Sequence, residues 1–312
     1  MAVNDGSAQF EGRLSEIAAS TEALLDRLLG PNPAAGERIR PARLLEGMRY
    51  GSLGGGKRFR PFLVVESAAL FAVPREQSLM AATALECVHC YSLVHDDLPA
   101  MDNDSMRRGR PTLHKAFDEA TAILVGDSLL TFAFDILARP ETHPDPTIRA
   151  ALVLELARAA GLGGMAGGQM LDLAAEGRFA ATPPQLDLPD VEQLQAMKTG
   201  ALLRYGCVCG AILGGADEYK RLALDRFGAI IGEAFQIADD LLDVEGDAAT
   251  VGKATGKDAD ARKATAVAIL GVTQARKKLF GLIEEAERAL APFGAAAALL
   301  KSAARFVAER RA

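Results

Sequence analysis

The chain is 312 residues long, 49% hydrophobic, 24% charged and 5% aromatic, with a net charge of −6. That length and composition allow one or two domains with an ample buried core, and the negative balance argues against nucleic acid or an anionic membrane as partner. Any anionic ligand must then be drawn by a local basic patch.

The opening MAVNDGSAQFEG carries acidic residues and no apolar run, which reads against a signal or transit peptide. Apolar residues recur at helical spacing from Phe10 to Leu29, with Ile17, Leu24, Leu25 and Leu28 on one stripe. Gly30-Pro31-Asn32-Pro33 ends that helix. Gly51 to Gly56 is a glycine-rich turn ahead of Lys57, Arg58, Phe59 and Arg60. It is not a nucleotide P-loop, because arginine rather than serine or threonine follows Lys57. Backbone amides freed by glycine, with Lys57 and Arg60 beside them, can still wrap a diphosphate. Helical periodicity resumes from Pro61 to Phe71 and, after Pro74, from Ser78 to Val94.

The next stretch, HCYSLVHDDLPAMDNDSMRRGRPTLH from His89 to His114, crowds Asp96, Asp97, Asp102 and Asp104 into nine residues and follows them with Arg107, Arg108 and Arg110. Carboxylates so close repel one another unless a hard cation sits among them, and the arginine forks suit phosphate oxygens. Both demands together describe a metal-diphosphate site; a solvated acidic turn followed by a basic one is the bland alternative.

Ala116 to Leu137 and Pro146 to Ala160 read as core helices. Overlapping the former, Ala120 to Ala138 is the most apolar stretch, and its interruption by Gly126, Asp127, Ser128 and Asp135 is read as excluding a membrane span. Gly163, Gly164, Gly167 and Gly168, then Gln169 and Asp172, suggest a helix packed very close to another or to substrate. Arg178 to Asp190 reads as a surface loop, and Val191 to Leu213 as helix containing Lys198 and Thr199. FQIADDLLDVEGD, from Phe235 to Asp247, repeats the acidic device. On a helix Asp239 and Asp243 are i and i+4, on one face. Gly246 to Arg262 is too polar and broken for core and reads as a flap over the site. Two supporting helices are expected from Thr265 to Arg311.

Cys87, Cys90, Cys207 and Cys209 fit reduced, buried thiols, and a cytoplasmic location is expected. A zinc site is disfavoured, since both cysteine pairs lie in apolar helical stretches rather than turns. No sustained period-two alternation appears, so the fold class is all-α. One domain over 1–312 is expected, since a cut between the acidic clusters would divide the site.

DDLPAMD with RRGRP behind it, DDLLD further on, and GGGKRFRP at Gly54 to Pro61 resemble, in this order, the motifs of the trans-isoprenyl diphosphate synthases (polyprenyl synthetases). The likeness runs from about Arg49 to about Lys263. It implies an orthogonal helical bundle around a deep central cavity, a homodimer, and Mg²⁺ as cofactor. It also implies condensation of isopentenyl diphosphate with an allylic diphosphate. By the resemblance, Lys57, Arg60 and His89, joined by Arg108, hold the isopentenyl diphosphate group, and Arg107 is counted among the substrate-binding residues. Asp96, Asp102 and Asp239 hold metal ions, with Asp97, Asp240 and Asp243 in support. Lys198, Thr199 and Gln236 line the allylic site. Lys198 binds phosphate, while Thr199 and Gln236 face the developing cation. Lys253 and Lys263 match positions that reach the allylic diphosphate on closure, although Ala264, Thr265 and Ala266 depart from the usual sequel to the second lysine.

Tyr91 and Ser92 lie roughly 6 to 7.5 Å along the helix from Asp96, where a bulky side chain would stop a growing hydrocarbon tail. In similar enzymes a tyrosine at this place goes with a farnesyl product; a geranylgeranyl product is the alternative. A terpene cyclase, or a silent prenyl-diphosphate-binding subunit, is the rival of a different class. The cyclase has no need of GGGKRFRP, and the silent subunit should have eroded an acidic cluster.

Overall fold

The stripe expected on the first helix is the face that is buried. In α1 (Val3–Leu28), Phe10, Leu14, Ile17, Leu24 and Leu25 pack inward. The structure is a computed structural model and describes residues 3–180, 184–245 and 265–309. After α1 come α2 (Ala42–Ser52), α3 (Phe59–Ala69) and α4 (Arg75–Asp96), the last capped by Pro74. Two short strands, β1 (Met106–Arg107) and β2 (Arg110–Pro111), pair antiparallel with Arg107 opposite Arg110. They are followed by α5 (Leu113–Ala116), α6 (Glu119–Ala138), α7 (Pro146–Ala160) and α8 (Met165–Ala175).

The helix expected from Ala116 is broken at Phe117. Asp118 caps α6 by accepting the Thr121 N–H at 2.7 Å, so the acidic cap rather than the apolar run sets the start. The helix from Val191 to Leu213 is observed as α9 (Leu188–Gln195), one π-helical turn at Ala196–Gly200, and α10 (Ala201–Leu213). Then come α11 (Glu218–Glu245), α12 (Ala266–Leu270), α13 (Val272–Ala289), a 3₁₀ segment at Ala291–Ala297 and α14 (Ala298–Glu309).

One hydrophobic core cluster runs from Phe10 to Val307. At its centre α10 packs against α3, α4, α7 and α11, so the helices that carry the two acidic clusters share a neighbour. Cys87, Cys90, Cys207 and Cys209 are free and buried in this core, and burial pushes the Cys90 thiol up to about 12. By length and composition Glu119–Ala138 and Pro146–Ala175 could each cross a bilayer, so the breaks in α6 do not exclude a span as the sequence reading held. In the fold, half of the α6 window is buried, and α6 packs on α4 and α2; the second segment is divided between α7 and α8.

Candidate active site

The glycine loop is wound left-handed. Gly54, Gly55 and Gly56 have φ of 86°, 132° and 105°, and Arg58, the N-cap of α3, has φ of 49°. Left-handed backbone is open to glycine and strained for arginine. The alternation of basic side chains that follows divides their duties. Lys57 is exposed, its ammonium 5.5 Å from the Phe306 ring centroid. Arg58 turns inward to Glu86 (2.5 Å) and the Ser52 carbonyl (2.6 Å). Arg60, the second residue of α3, keeps a buried Nε with no hydrogen-bond partner. Burial lowers its pKa, and the carboxylates of Glu86 and Asp239 work against that fall.

His89 is pushed well below the ordinary imidazole range, first by burial and then by Arg60, Arg108, Arg58 and Arg107, so it is neutral and offers an N–H rather than a charge. A buried guanidinium nitrogen without an acceptor, beside several cations, is a place prepared for an anion.

α4 ends at Asp96, and the two aspartates part there. Successive helix residues point about 100° apart, so a pair of adjacent carboxylates cannot share a face. Asp97 is 3% exposed, and both its oxygens are taken by Arg107, at 2.8 and 2.9 Å from Nε and 2.7 Å from Nη2. Asp96 stays half-buried with its carboxyl raised to about 6. Burial is the main cause, Asp102 and Asp97 add to it, and Lys198 and Arg107 oppose it. The C-terminal end of α4 adds its own negative partial charge, so the position calls for a cation.

The strands turn at Arg108 and Gly109, with φ of 50° and 73°, the positive pair of a type I′ hairpin turn. This delivers Arg108 to the glycine loop, where Nη1 donates to the Gly55 carbonyl at 2.7 Å. The Arg110 guanidinium lies 3.9 Å from the Tyr50 ring centroid. A hollow of about 60 Å³ between loop and hairpin is walled by Gly54, Asp97, Arg107, Arg108 and Arg110. Larger hollows of about 510 and 540 Å³ lie elsewhere, against α2 and α6 and against α1 and α4.

The second cluster repeats the division of labour. Asp240 is 4% exposed and accepts from Gln236 Nε2 (2.9 Å) and Gln195 Nε2 (3.1 Å), while Asp239 is half-buried and Asp243 exposed. An ionised carboxylate only accepts, so Gln236 must turn its NH₂ to Asp240 and its oxygen away. Thr199 Oγ1 donates to that oxygen at 3.0 Å, which leaves the threonine lone pairs uncommitted to Gln236. Thr199 and Lys198 sit on the π-helical turn, clasped on both sides. A Cβ on Gly168 would fall 2.2 Å from the Lys198 nitrogen, and one on Gly232 2.6 Å from the Gly200 Cα. Lys198 Nζ is paired with Asp172 Oδ2 at 2.5 Å and acts electrostatically on Asp96.

Residues 41–295 match the family model described as Polyprenyl synthetase. The chain belongs to that family. It is 44% identical to a farnesyl diphosphate synthase of Escherichia coli over 285 residues, 90% of this chain and 91% of the relative. A farnesyl diphosphate synthase of Geobacillus stearothermophilus is 42% identical, covering 89% and 90%. A chloroplastic geranylgeranyl pyrophosphate synthase of Arabidopsis thaliana is 38% identical, covering 93% and 79%. Among solved structures, an FPP/GFPP synthase from Zymomonas mobilis aligns with a TM-score of 0.85 at 43% identity, covering 98% of this chain and all of that one. A geranyltransferase from Legionella pneumophila aligns at 0.83 and 31%, covering 97% and 98%.

In this polyprenyl synthetase Tyr91 is half-buried on α4, its ring edge-on to His95 at 5.8 Å, and His95 Nε2 lies 3.1 Å from the Ile123 carbonyl of α6. Ser92 spends its hydroxyl on the His89 carbonyl of its own helix. Lys253 and Lys263 lie outside the described residues. Two contacts of the synthetase had no sequence signal. Arg178, expected in a surface loop, donates to the carbonyls of Ala100 and Met101 (2.9 and 2.6 Å) and so tethers the loop between Asp97 and Asp102. Asp172, to which the sequence reading gave no chemistry, holds Lys198.

The ligand types present fit a hard divalent ion, since carboxylate oxygens without thiolates suit magnesium. Among the described residues no three metal-ligating side chains converge on one point, so an ion here would need oxygens from substrate as well.

Proposed function

We propose that this polyprenyl synthetase is a farnesyl diphosphate synthase, a prenyltransferase that joins isopentenyl diphosphate head to tail to dimethylallyl and then geranyl diphosphate. The observation that carries the reading is electrostatic. Arg107 acts on Asp96 of the first cluster and, together with Arg60 of the glycine loop, on His89, while Arg60 is itself acted on by Asp239 of the second. The two clusters and the basic loop therefore belong to one field.

The homoallylic diphosphate is assigned to Lys57, Arg60, His89 and Arg108. Arg60 brings the buried nitrogen that lacks an acceptor, and neutral His89 donates a hydrogen bond. Asp96, Asp102 and Asp239, with Asp243 on the same face as Asp239, are the proposed holders of Mg²⁺. When bound, that ion neutralises the charge that gathers on the leaving diphosphate. Asp97 and Asp240 face inward to protein donors, so their part is to set Arg107 and Gln236 in place. Arg107 then reaches the diphosphate only if it leaves Asp97. Lys198 meets the allylic diphosphate by exchanging Asp172 for phosphate oxygens. Thr199, with its proton directed to Gln236, turns lone pairs toward the electron-poor allylic carbon. The residues of the π-helical turn and of α11 also exclude water that would capture the cation.

Tyr91, braced by His95, is the proposed wall that halts growth at fifteen carbons; geranylgeranyl diphosphate is the product expected if that wall yields. We further infer one domain, a cytoplasmic location consistent with four buried free thiols, and a homodimer. The exposed Ile123, Leu124 and Leu154 are apolar surface that a second copy would cover. Incubation with Mg²⁺, isopentenyl diphosphate and each allylic starter, followed by chain-length analysis, tests the reading. Farnesyl diphosphate is expected. Cyclisation of the allylic substrate without consumption of isopentenyl diphosphate would favour a terpene cyclase instead.

A further inference from the structure

We propose that Glu22, on α1, is a positioning residue for the isopentenyl diphosphate loop. It lies outside the region that matches the family model, and the inference rests on the assignment of Lys57 and Arg60 to that substrate.

The loop carries its own strain. Four of the five residues from Gly54 to Arg58 have positive φ, and one of them is an arginine. A conformation of this kind persists only where the surroundings impose it. Three sources do so here. The hairpin supplies Arg108 to the Gly55 carbonyl. α4 supplies Glu86, which binds the Arg58 guanidinium, and Arg58 in turn holds the Ser52 carbonyl at the loop's entry. α1 supplies Glu22. Its Oε1 accepts the Gly54 N–H at 2.8 Å, and its Oε2 lies 3.5 Å from Arg58 Nη2.

One carboxylate therefore holds the first glycine of the loop and the arginine that ends it. Those residues bracket Lys57 and are separated from Arg60 by Phe59 alone. Arg58 is buried, whereas the Glu22 side chain is 39% exposed. Glu22 can accordingly be replaced without opening the core, while the Gly54 N–H loses its acceptor and Arg58 one of its two carboxylates. The expected consequence is a loop that samples other conformations and binds the homoallylic diphosphate more weakly. The allylic side of the site, built from α8, the π-helical turn and α11, is left as it was.

The test compares Glu22→Ala and Glu22→Gln with wild type in the full-length enzyme, varying each substrate while the other is saturating. In Glu22→Ala the KM for isopentenyl diphosphate should rise about five- to tenfold, the worth of one ordinary hydrogen bond. The allylic KM and kcat should stay within about twofold, and Tm should move little, as for a surface change. Glu22→Gln keeps an acceptor for Gly54 and should recover most of the loss. An unmoved KM for isopentenyl diphosphate in Glu22→Ala, or equal rises for both substrates, overturns the proposal. A wild-type enzyme that consumes no isopentenyl diphosphate overturns the functional reading and this inference together, whereas wild-type turnover with an unmoved KM overturns the inference alone.

Discussion

Asp96 and Asp97 close α4, where the chain leaves the helix for a turn and a hairpin, while Asp239 and Asp240 lie within α11. In both pairs the second aspartate is buried and held by protein, and the first is left half-buried on the other side. What differs is the partner. Asp97 is held by a guanidinium that the hairpin brings back to it, and Asp240 by two neutral amides, one of which hands its orientation on to Thr199. The same two-letter motif thus builds a charge-neutral staple at one end of the site and a proton-directing relay at the other. Helix geometry explains the common part: adjacent side chains diverge, so a doublet turns one carboxylate to the protein as an anchor and leaves the other as the proposed ligand.

The largest expected effect separates ligand from anchor. Asp96→Ala or Asp239→Ala should lower kcat by about a thousandfold without lowering Tm, since a charge-stabilising group is lost from the transition state. Retained turnover in either variant would break the parallel between the two pairs.

The anchors should behave differently from the ligands and from each other. Asp97→Asn leaves Arg107 without its counter-charge and should cost about 2–3 kcal/mol of stability, read from denaturant unfolding. Asp240→Asn replaces a carboxylate that received two neutral donors and should cost about 1 kcal/mol. It should also lower kcat by more than it raises either KM, because Gln236 is no longer forced to turn its oxygen to Thr199. Equal stability losses in the two variants would remove the distinction between staple and relay.

Much of this site was legible before any coordinates. Helical periodicity marked α1, α3 and α4, a broadly apolar run marked α7, and the charge motifs marked both clusters and the basic loop, because spacing on a helix and local charge density are properties of the chain alone. The inward turn of Asp97 and Asp240 was not, since it depends on Arg107 returning through a hairpin and on Gln195 approaching from α9. The hairpin itself escaped notice because each strand has two residues, too few for alternation, and Arg108-Gly109 is not the usual Asn-Gly signal for its turn. Glu22 was invisible for a plainer reason: one acidic residue on the polar side of an amphipathic helix carries no pattern.

A smaller effect follows from the raised carboxyl of Asp96. Its folded pKa of about 6 stands above its ordinary value of 3.8, so between roughly pH 4 and 6 the folded protein keeps a proton that the unfolded chain releases. This group's contribution to stability is therefore present at the acid end and is lost as the pH rises through that window in metal-free protein. Thermal unfolding of wild type and Asp96→Asn across that range should show wild type losing ground to the variant as pH rises, and excess Mg²⁺ at the neutral end should restore it. Parallel curves would mean that burial does not burden Asp96 as described.

The central claim, that the two clusters grip one metal-bridged diphosphate, is tested most directly by calorimetric titration of inorganic diphosphate in the presence of Mg²⁺. Wild type, Asp96→Asn, Asp239→Asn and the double variant form a double-mutant cycle. The account predicts that each single substitution removes nearly as much affinity as both together, because each breaks the same bridge. Losses that simply add would mean that the clusters bind independently, and would contradict it.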